Sequence, residues 1–287
     1  MDAPRLPPGR HVELPGRGRT FIRELPGPED APVVLLLHGW TASADLNWFA
    51  CYERLAEHHR VVALDHRGHG RGIRSRKPFR ITDCADDAAA LLDVLGIPSA
   101  MAVGYSMGGP VAQLLWRRHP HLVDGLVLCA TSRTFASQRS ERARFVALGA
   151  AALGSRVVPR NLTAAAISRV FDARSTTGPA EGWFADELQR NDWTAILEAG
   201  RSLGRFDSRS WIGEVDVPSA VVPVMGDGLV APRRQLALGR SIPGATIHPV
   251  QGDHTVCVTN PRRFVPVLLE ACASVRERLP SATAPQP

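Results

Sequence analysis

Four short apolar runs, each closed by turn residues and followed by a stretch of different periodicity, restrict what this 287-residue chain can become. They are "PVVLLLHG" (32–39), "RVVALDHRG" (60–68), "AMAVGYS" (100–106) and "GLVLCATS" (125–132). Runs of this length, rich in Val and Leu and without polar alternation, read as strands buried on both faces. The intervening segments 44–59, 81–96 and 107–120 carry apolar residues at helical spacing, and the third stops at Pro120. Strand alternating with helix requires right-handed crossovers and a parallel sheet covered on both sides. The expected fold class is therefore α/β, with a doubly covered, mostly parallel sheet.

The flanks extend this sheet. "HVELPGRGRTFIREL" (11–25) alternates apolar and polar residues around a Gly-rich turn, the pattern of an antiparallel hairpin at a sheet edge. Beyond residue 133 the chain becomes Ala-rich, amphipathic and helical, and no strand pattern returns until "VPSAVVPVMGDG" (217–228). A further strand is expected in "ATIHPVQGDH" (245–254) and a closing helix over 261–279. The expected division is a core of 1–133 and 214–279, a helical insertion of 134–213, and a disordered tail of 280–287.

With 44% hydrophobic residues the chain can bury a large core. Of 34 basic residues only Lys77 is a lysine, so the net charge of +6 is an arginine charge. Its densest run, "RGHGRGIRSRKPFR" (67–80), has no interleaved aromatic ladder and no nucleic-acid motif, and reads as a solvated loop. The five cysteines at 51, 84, 129, 257 and 272 form no C-x-x-C pair and read as small buried residues in a reducing compartment. The opening "MDAPRLPPGR" lacks a signal-peptide core, and no apolar run is long enough for a membrane span, so a cytoplasmic location is expected.

Within this frame "VGYSMGG" (103–109) places one hydroxyl at the junction of a strand and a helix. Gly104, Ser106 and Gly108 have the G-x-S-x-G spacing of a sharp elbow that lifts a serine out of the sheet. The competing use of such a serine is a helix N-cap. A serine becomes nucleophilic when a base removes its proton, and a histidine base needs a carboxylate to fix its tautomer. Of the ten histidines, His58, His59, His119 and His121 sit at polar helix ends and His248 within a strand. His254, in "QGDHTVC", follows the last strand and emerges at the carboxyl edge, the edge that carries Ser106 and where open parallel sheets bind ligands. Asp227, in "VMGDGLVAP", follows the strand before it; Asp253, adjacent to His254, is the competitor, but neighbouring side chains in a loop usually diverge. Two N–H donors for a tetrahedral oxyanion are the backbone groups of Met107 and of Trp40, the latter in the loop after "LLLHGW". His38 then reads as a structural residue of that loop.

"LLLHGW", "VVALDHRGHGRG", "AVGYSMGG", the strand ending at Asp227, and "GDH" together resemble the recurrent blocks of the α/β-hydrolase superfamily, in order, over about residues 12–132 and 214–279. The resemblance implies an eight-stranded sheet, a structural role for Asp65, and a variable cap at 134–213. "GDGLVAP" departs from the acidic pair usual in the turn that bears the acid. Trp183, Phe184, Trp193 and Trp211 are candidates to line a substrate pocket under the cap, or else to pack the cap on the core.

The expected activity is hydrolysis of a carboxylic ester with an apolar acyl or leaving group, through an acyl-Ser106 intermediate. An acyltransferase, a C–C hydrolase and a perhydrolase share the same triad, and a catalytically silent hydrolase fold serving as a ligand receptor is the alternative of another class. Epoxide hydrolases and dehalogenases are disfavoured, since those members carry Asp where Ser106 stands. "HRGHGRG" lacks the spacing of a dinucleotide fingerprint and no H-E-x-x-H or H-x-x-E-H pattern occurs, so no cofactor and no metal are expected. No nucleic-acid partner is expected either.

Overall fold

A computed structural model describes residues 4–136, 139–155 and 181–279. The expected tail at 280–287 and the middle of the helical insertion, 156–180, lie outside the described residues. Eight strands form one sheet in the order β1-β2-β4-β3-β5-β6-β7-β8. β1 (Gly9–Leu14) and β2 (Gly18–Leu25) are the antiparallel hairpin, and β2 pairs antiparallel with β4 (Arg60–Leu64). From β4 onward β3 (Val33–Leu37), β5 (Ala100–Tyr105), β6 (Val123–Cys129), β7 (Ser219–Val222) and β8 (Thr246–Ile247) are all parallel. The architecture is that of an α/β-hydrolase sheet.

The period-two geometry of the strands sorts side chains into two cores. Leu35 and Leu37 of β3, with Val62 and Leu64 of β4, face α3 (Ile81–Val94) and α4 (Gly108–Arg118). Val34, Leu36, Val61 and Ala63 face the other way. They pack with Trp48 of α1 (Ala44–Trp48), Tyr52 of α2 (Tyr52–Ala56) and Phe264 of α10 (Pro261–Arg276). Both faces of β3 and β4 are buried, which is why their sequences run apolar without alternation.

The described helices between β6 and β7 are α5 (Arg139–Ser155), α6 (Glu181–Gln189) and α7 (Trp193–Leu203). After β7 come α8 (Pro232–Gly239) and the short α9 (Val256–Thr259). Among the described residues no helix is long and apolar enough to cross a membrane. All five cysteines are buried and unpaired.

Three expectations need correction. The segment 44–59 is two short helices, α1 and α2, separated at Phe49–Cys51, so that Trp48, Cys51, Tyr52 and Leu55 all reach one core. The strands expected over 217–228 and 245–254 contribute only four and two ladder residues. Pro223 and Pro249 have no N–H to give, so the pairing continues as isolated bonds: Val250 N–H to Pro223 O (2.9 Å), Met225 N–H to Val250 O (2.9 Å) and Gly226 N–H to Gly252 O (2.9 Å). The arginine run after β4 is not a solvated loop. The Arg67 side chain is 9% exposed and forks onto Asp87 (2.6 and 2.7 Å).

Arg71 joins a buried charge cluster beneath α6. Asp45, fully buried, accepts two bonds from Arg23 (2.5 and 2.7 Å) and one from Arg71. Burial alone would raise its pKa, but the two guanidiniums outweigh that and hold it below the usual carboxylate range. Asp65 accepts the backbone N–H groups of Ala44 (2.8 Å) and Arg71 (2.7 Å), and there burial prevails and pushes the carboxyl up. Glu187 of α6 takes the hydroxyl of Ser43 (2.7 Å) and faces Arg71 at 3.6 Å, which ties α6 to the loop before α1.

Because removing one member of a buried pair strands the others, Asp45→Ala should cost about 3–5 kcal/mol. The urea midpoint is expected to fall accordingly with an unchanged slope; a midpoint equal to wild type would show that the cluster contributes nothing net.

Candidate active site

Ser106 sits at the β5–α4 junction with φ of +51°, a left-handed conformation that only glycine adopts freely. Its neighbours hold it there. Ser106 N–H donates to Cys129 O (2.9 Å), and Ser106 O accepts from Thr131 Oγ1 (2.8 Å) and from Gly109 N–H (3.0 Å). A side chain at Gly104 would collide with the carbonyl of Gly108, and one at Gly108 with the carbonyl of Leu37 in β3. The glycines thus let α4 start directly against the sheet, with its N-terminal positive end beside the hydroxyl.

The carboxyl ends of β7 and β8 run side by side through the irregular pairing described above, and this sets Asp227 beside His254. His254 Nδ1 is 2.7 Å from Asp227 Oδ2, and its Nε2 is 2.9 Å from Ser106 Oγ. With a carboxylate as its partner, Nδ1 carries the proton and Nε2 accepts the serine O–H. The other carboxylate oxygen, Oδ1, accepts the N–H groups of Leu229 and Val230, both at 2.8 Å. The competitor Asp253 instead accepts from Thr255 N–H (2.8 Å) and Thr255 Oγ1 (2.7 Å), turned away from the imidazole. Tyr105 O–H donates to the backbone carbonyl of His254 (2.8 Å) and fixes that loop from β5.

Gly39 lies against Ser106; a Cβ on it would stand 3.4 Å from the serine Cβ. Trp40 follows, and among the described residues no hydrogen bond engages the backbone N–H of Trp40 or of Met107. Gly39 N–H donates to Asn47 Oδ1 (2.8 Å), and His38 donates from Nδ1 to Gly39 O (2.8 Å) while its Nε2 accepts His66 N–H (2.9 Å). Thr41 has φ of +66° and Ala130, just after β6, φ of +50°. Three neighbouring strands, β3, β5 and β6, therefore each lead into a left-handed non-glycine residue at this edge.

His38, His66 and His69 are packed together, with ring centroids 4.3 Å apart for His38–His66 and 5.3 Å for His38–His69. Burial lowers the pKa of His38 to about 4 and of His69 to about 3, and depresses His66 as well. His59, expected at a solvated helix end, is also buried, bonds Leu55 O (3.2 Å), and has its pKa lowered by burial to about 4.

The aromatic candidates disperse. Trp183 and Phe184 pack on Phe49 (5.7 and 6.4 Å) and on each other (5.0 Å). Trp193 is buried at the start of α7. Trp211 corrects the expectation: it stacks on Trp116 at 6.4 Å, near the C-terminal end of α4, whereas Ser106 is at the N-terminal end. Its apolar ring completes the core below the helix and does not approach the hydroxyl. Sequence reading missed Asn47 and Gln235. Gln235 Nε2 donates to Asp227 Oδ2 (2.9 Å) while its Oε1 accepts Val224 N–H (2.9 Å), so it holds the acid in place. The one available signal was an amide on the buried face of α8, beside Leu238.

The family model described as alpha/beta hydrolase fold matches residues 32–261. A bifunctional esterase/perhydrolase DCH of Acinetobacter calcoaceticus is 42% identical over 96 residues, 33% of this chain and 34% of that protein. A putative carbamate hydrolase RutD of Agrobacterium fabrum is 29% identical over 256 residues, 84% of this chain and 93% of the relative. A solved hydrolase from Pseudomonas aeruginosa PA01 superposes with a TM-score of 0.78 at 22% identity, covering 92% of this chain and 98% of its own.

The three clustered imidazoles are neutral in the folded chain, while the unfolded chain protonates them as pH falls through about 6.5. Their stabilising contribution is therefore complete above that pH and lost on acidification toward 4, by about 4 kcal/mol per pH unit for the three together. Urea midpoints measured from pH 7 to 5 should fall steadily, and His69→Gln should reduce the slope by about a third; a flat profile would contradict the assignment of three neutral rings.

Proposed function

Because the chain belongs to the α/β-hydrolase fold family, whose model spans residues 32–261, we propose that it is a serine hydrolase that cleaves a carboxylic ester through an acyl intermediate on Ser106. The observation that carries this reading is the continuous path from Asp227 Oδ2 to His254 Nδ1 (2.7 Å) and from His254 Nε2 to Ser106 Oγ (2.9 Å). Ser106 Oγ attacks the carbonyl carbon as His254 Nε2 takes its proton, and Asp227 stabilises the imidazolium. The negative oxygen forms within reach of the N–H groups of Trp40 and Met107, at the positive end of α4. Collapse returns the proton from His254 to the departing alcohol, and water attacks the acyl-enzyme by the same route in reverse.

The segment 134–213 acts as a cap over this edge. Ser43–Glu187 fastens α6 and the Trp40 indole, donating to Ile196 O (2.8 Å), fastens α7. Trp183 and Phe184 are the cap side chains offered to an apolar substrate. The relative named esterase/perhydrolase supports a second acceptor, hydrogen peroxide in place of water, at the same acyl-enzyme.

A panel of p-nitrophenyl esters of increasing chain length should show turnover, with kcat/KM dependent on acyl length. Ser106→Ala should lower kcat by about 10⁴ or more, since triad members act as a unit, and should abolish fluorophosphonate labelling. Turnover retained in that variant, or a wild type that takes up no label, would overturn the reading. Peracid formed when peroxide is added would report the second acceptor.

A further inference from the structure

We propose that Asn191, in the turn between α6 and α7, is a positioning residue that holds the Trp40 N–H on the oxyanion, so that this helical segment sets the rate as well as the access of substrate. The inference rests on the serine-hydrolase reading above and assigns that site a residue more than 80 positions along the chain from its nucleophile.

The argument starts at Thr41. A β-branched residue at φ +66° is a genuine outlier and persists only where its surroundings over-determine it. Within its own turn the support is slight: Ala42 N–H reaches Gly39 O at 3.4 Å. The strong bond comes from outside, where Asn191 Nδ2 donates to Thr41 O at 2.7 Å. The other end of the same amide, Oδ1, accepts Gly70 N–H at 2.9 Å, so both orientations of the side chain are specified. Asn191 is buried, and its backbone is tied down on either side. Its own N–H donates to Leu188 O (3.2 Å), and the next residue, Asp192, donates N–H to Gly68 O (2.9 Å).

The Trp40 side chain makes a second tie to the same region. Its indole N–H donates to Ile196 O at 2.8 Å, and its six-membered ring lies on Gly200, where a Cβ would stand 2.8 Å from Cζ2. From the core side Asn47 accepts Gly39 N–H. Two buried asparagines thus bracket the peptide that presents the Trp40 N–H, one from α1 and one from the α6–α7 turn. Loss of the outer one releases the strain at Thr41 and swings that N–H away from the point where charge develops. Misplacement by about 1 Å is enough for a loss of about 10²-fold.

The test uses the full chain with p-nitrophenyl butyrate, counting active sites by fluorophosphonate uptake at completion. Asn191→Asp keeps the acceptor for Gly70 but loses the donor to Thr41, and should lower kcat per titrated site by about 10- to 100-fold with KM within about twofold. Because the loss is confined to the charged intermediate, the Ki of an alkyl trifluoromethyl ketone should rise by the factor by which kcat/KM falls. Adding Thr41→Gly to Asn191→Ala should restore several-fold of the lost kcat, since glycine holds a positive φ without help. Trp40→Phe, which keeps the ring and removes the indole donor, should lower kcat in the same manner if Asn191 variants do not fold. A kcat per site within twofold of wild type in Asn191→Asp, an unchanged Ki, or no recovery with Thr41→Gly would overturn this inference alone. A wild type that takes up no fluorophosphonate overturns both it and the serine-hydrolase reading.

Discussion

The contact on which the rest of the site depends is the one between Gly108 and the carbonyl of Leu37, where any side chain would collide. It lets α4 begin flush against β3, which puts the Ser106 hydroxyl, the first N–H groups of α4 and the loop after β3 within one hydrogen-bond length of a common point. Everything that follows along the chain has only to deliver a base and an acid to that point. The parallel sheet does so economically, because β7 and β8 end at the same edge and their loops run in register through Met225–Val250 and Gly226–Gly252.

The strands and the residues that follow them were legible because each belongs to a local pattern. Val33–Leu37 and Ala100–Tyr105 are short, apolar and closed by glycine, and Ser106, Asp227 and His254 each come directly after a strand or its continuation. Where prolines interrupt the ladder, at 223 and 249, the apolar pattern overstates the strand. The charged interior was not legible. Arg67 and Arg71 look like solvent-facing residues until Asp87, Asp45 and Asp65 are brought to them by the fold, and pairing of that kind leaves no period in the sequence.

The same holds for the amides. Asn47, Gln235 and Asn191 are single polar residues whose bonds to Gly39, Asp227 and Thr41 span 8, 8 and 150 positions. Nothing about their spacing marks them, and only a buried amide next to apolar neighbours hints that it has work inside. They show where the precision of the site resides: motif residues bring the reacting groups to one edge, and unremarkable side chains set their angles.

Thr41, Ser106 and Ala130, leading off three adjacent strands, are all wound the wrong way for residues with a side chain. At about 1–3 kcal/mol each, such distortions together approach the whole margin of about 5–15 kcal/mol by which a domain stays folded. A heat-tolerant descendant of this protein must therefore find its reserves elsewhere, in the edge hairpin, the helix ends or the far side of the sheet. Relaxing the rim would be the shortest way to toughness and the surest way to a sturdy but idle molecule.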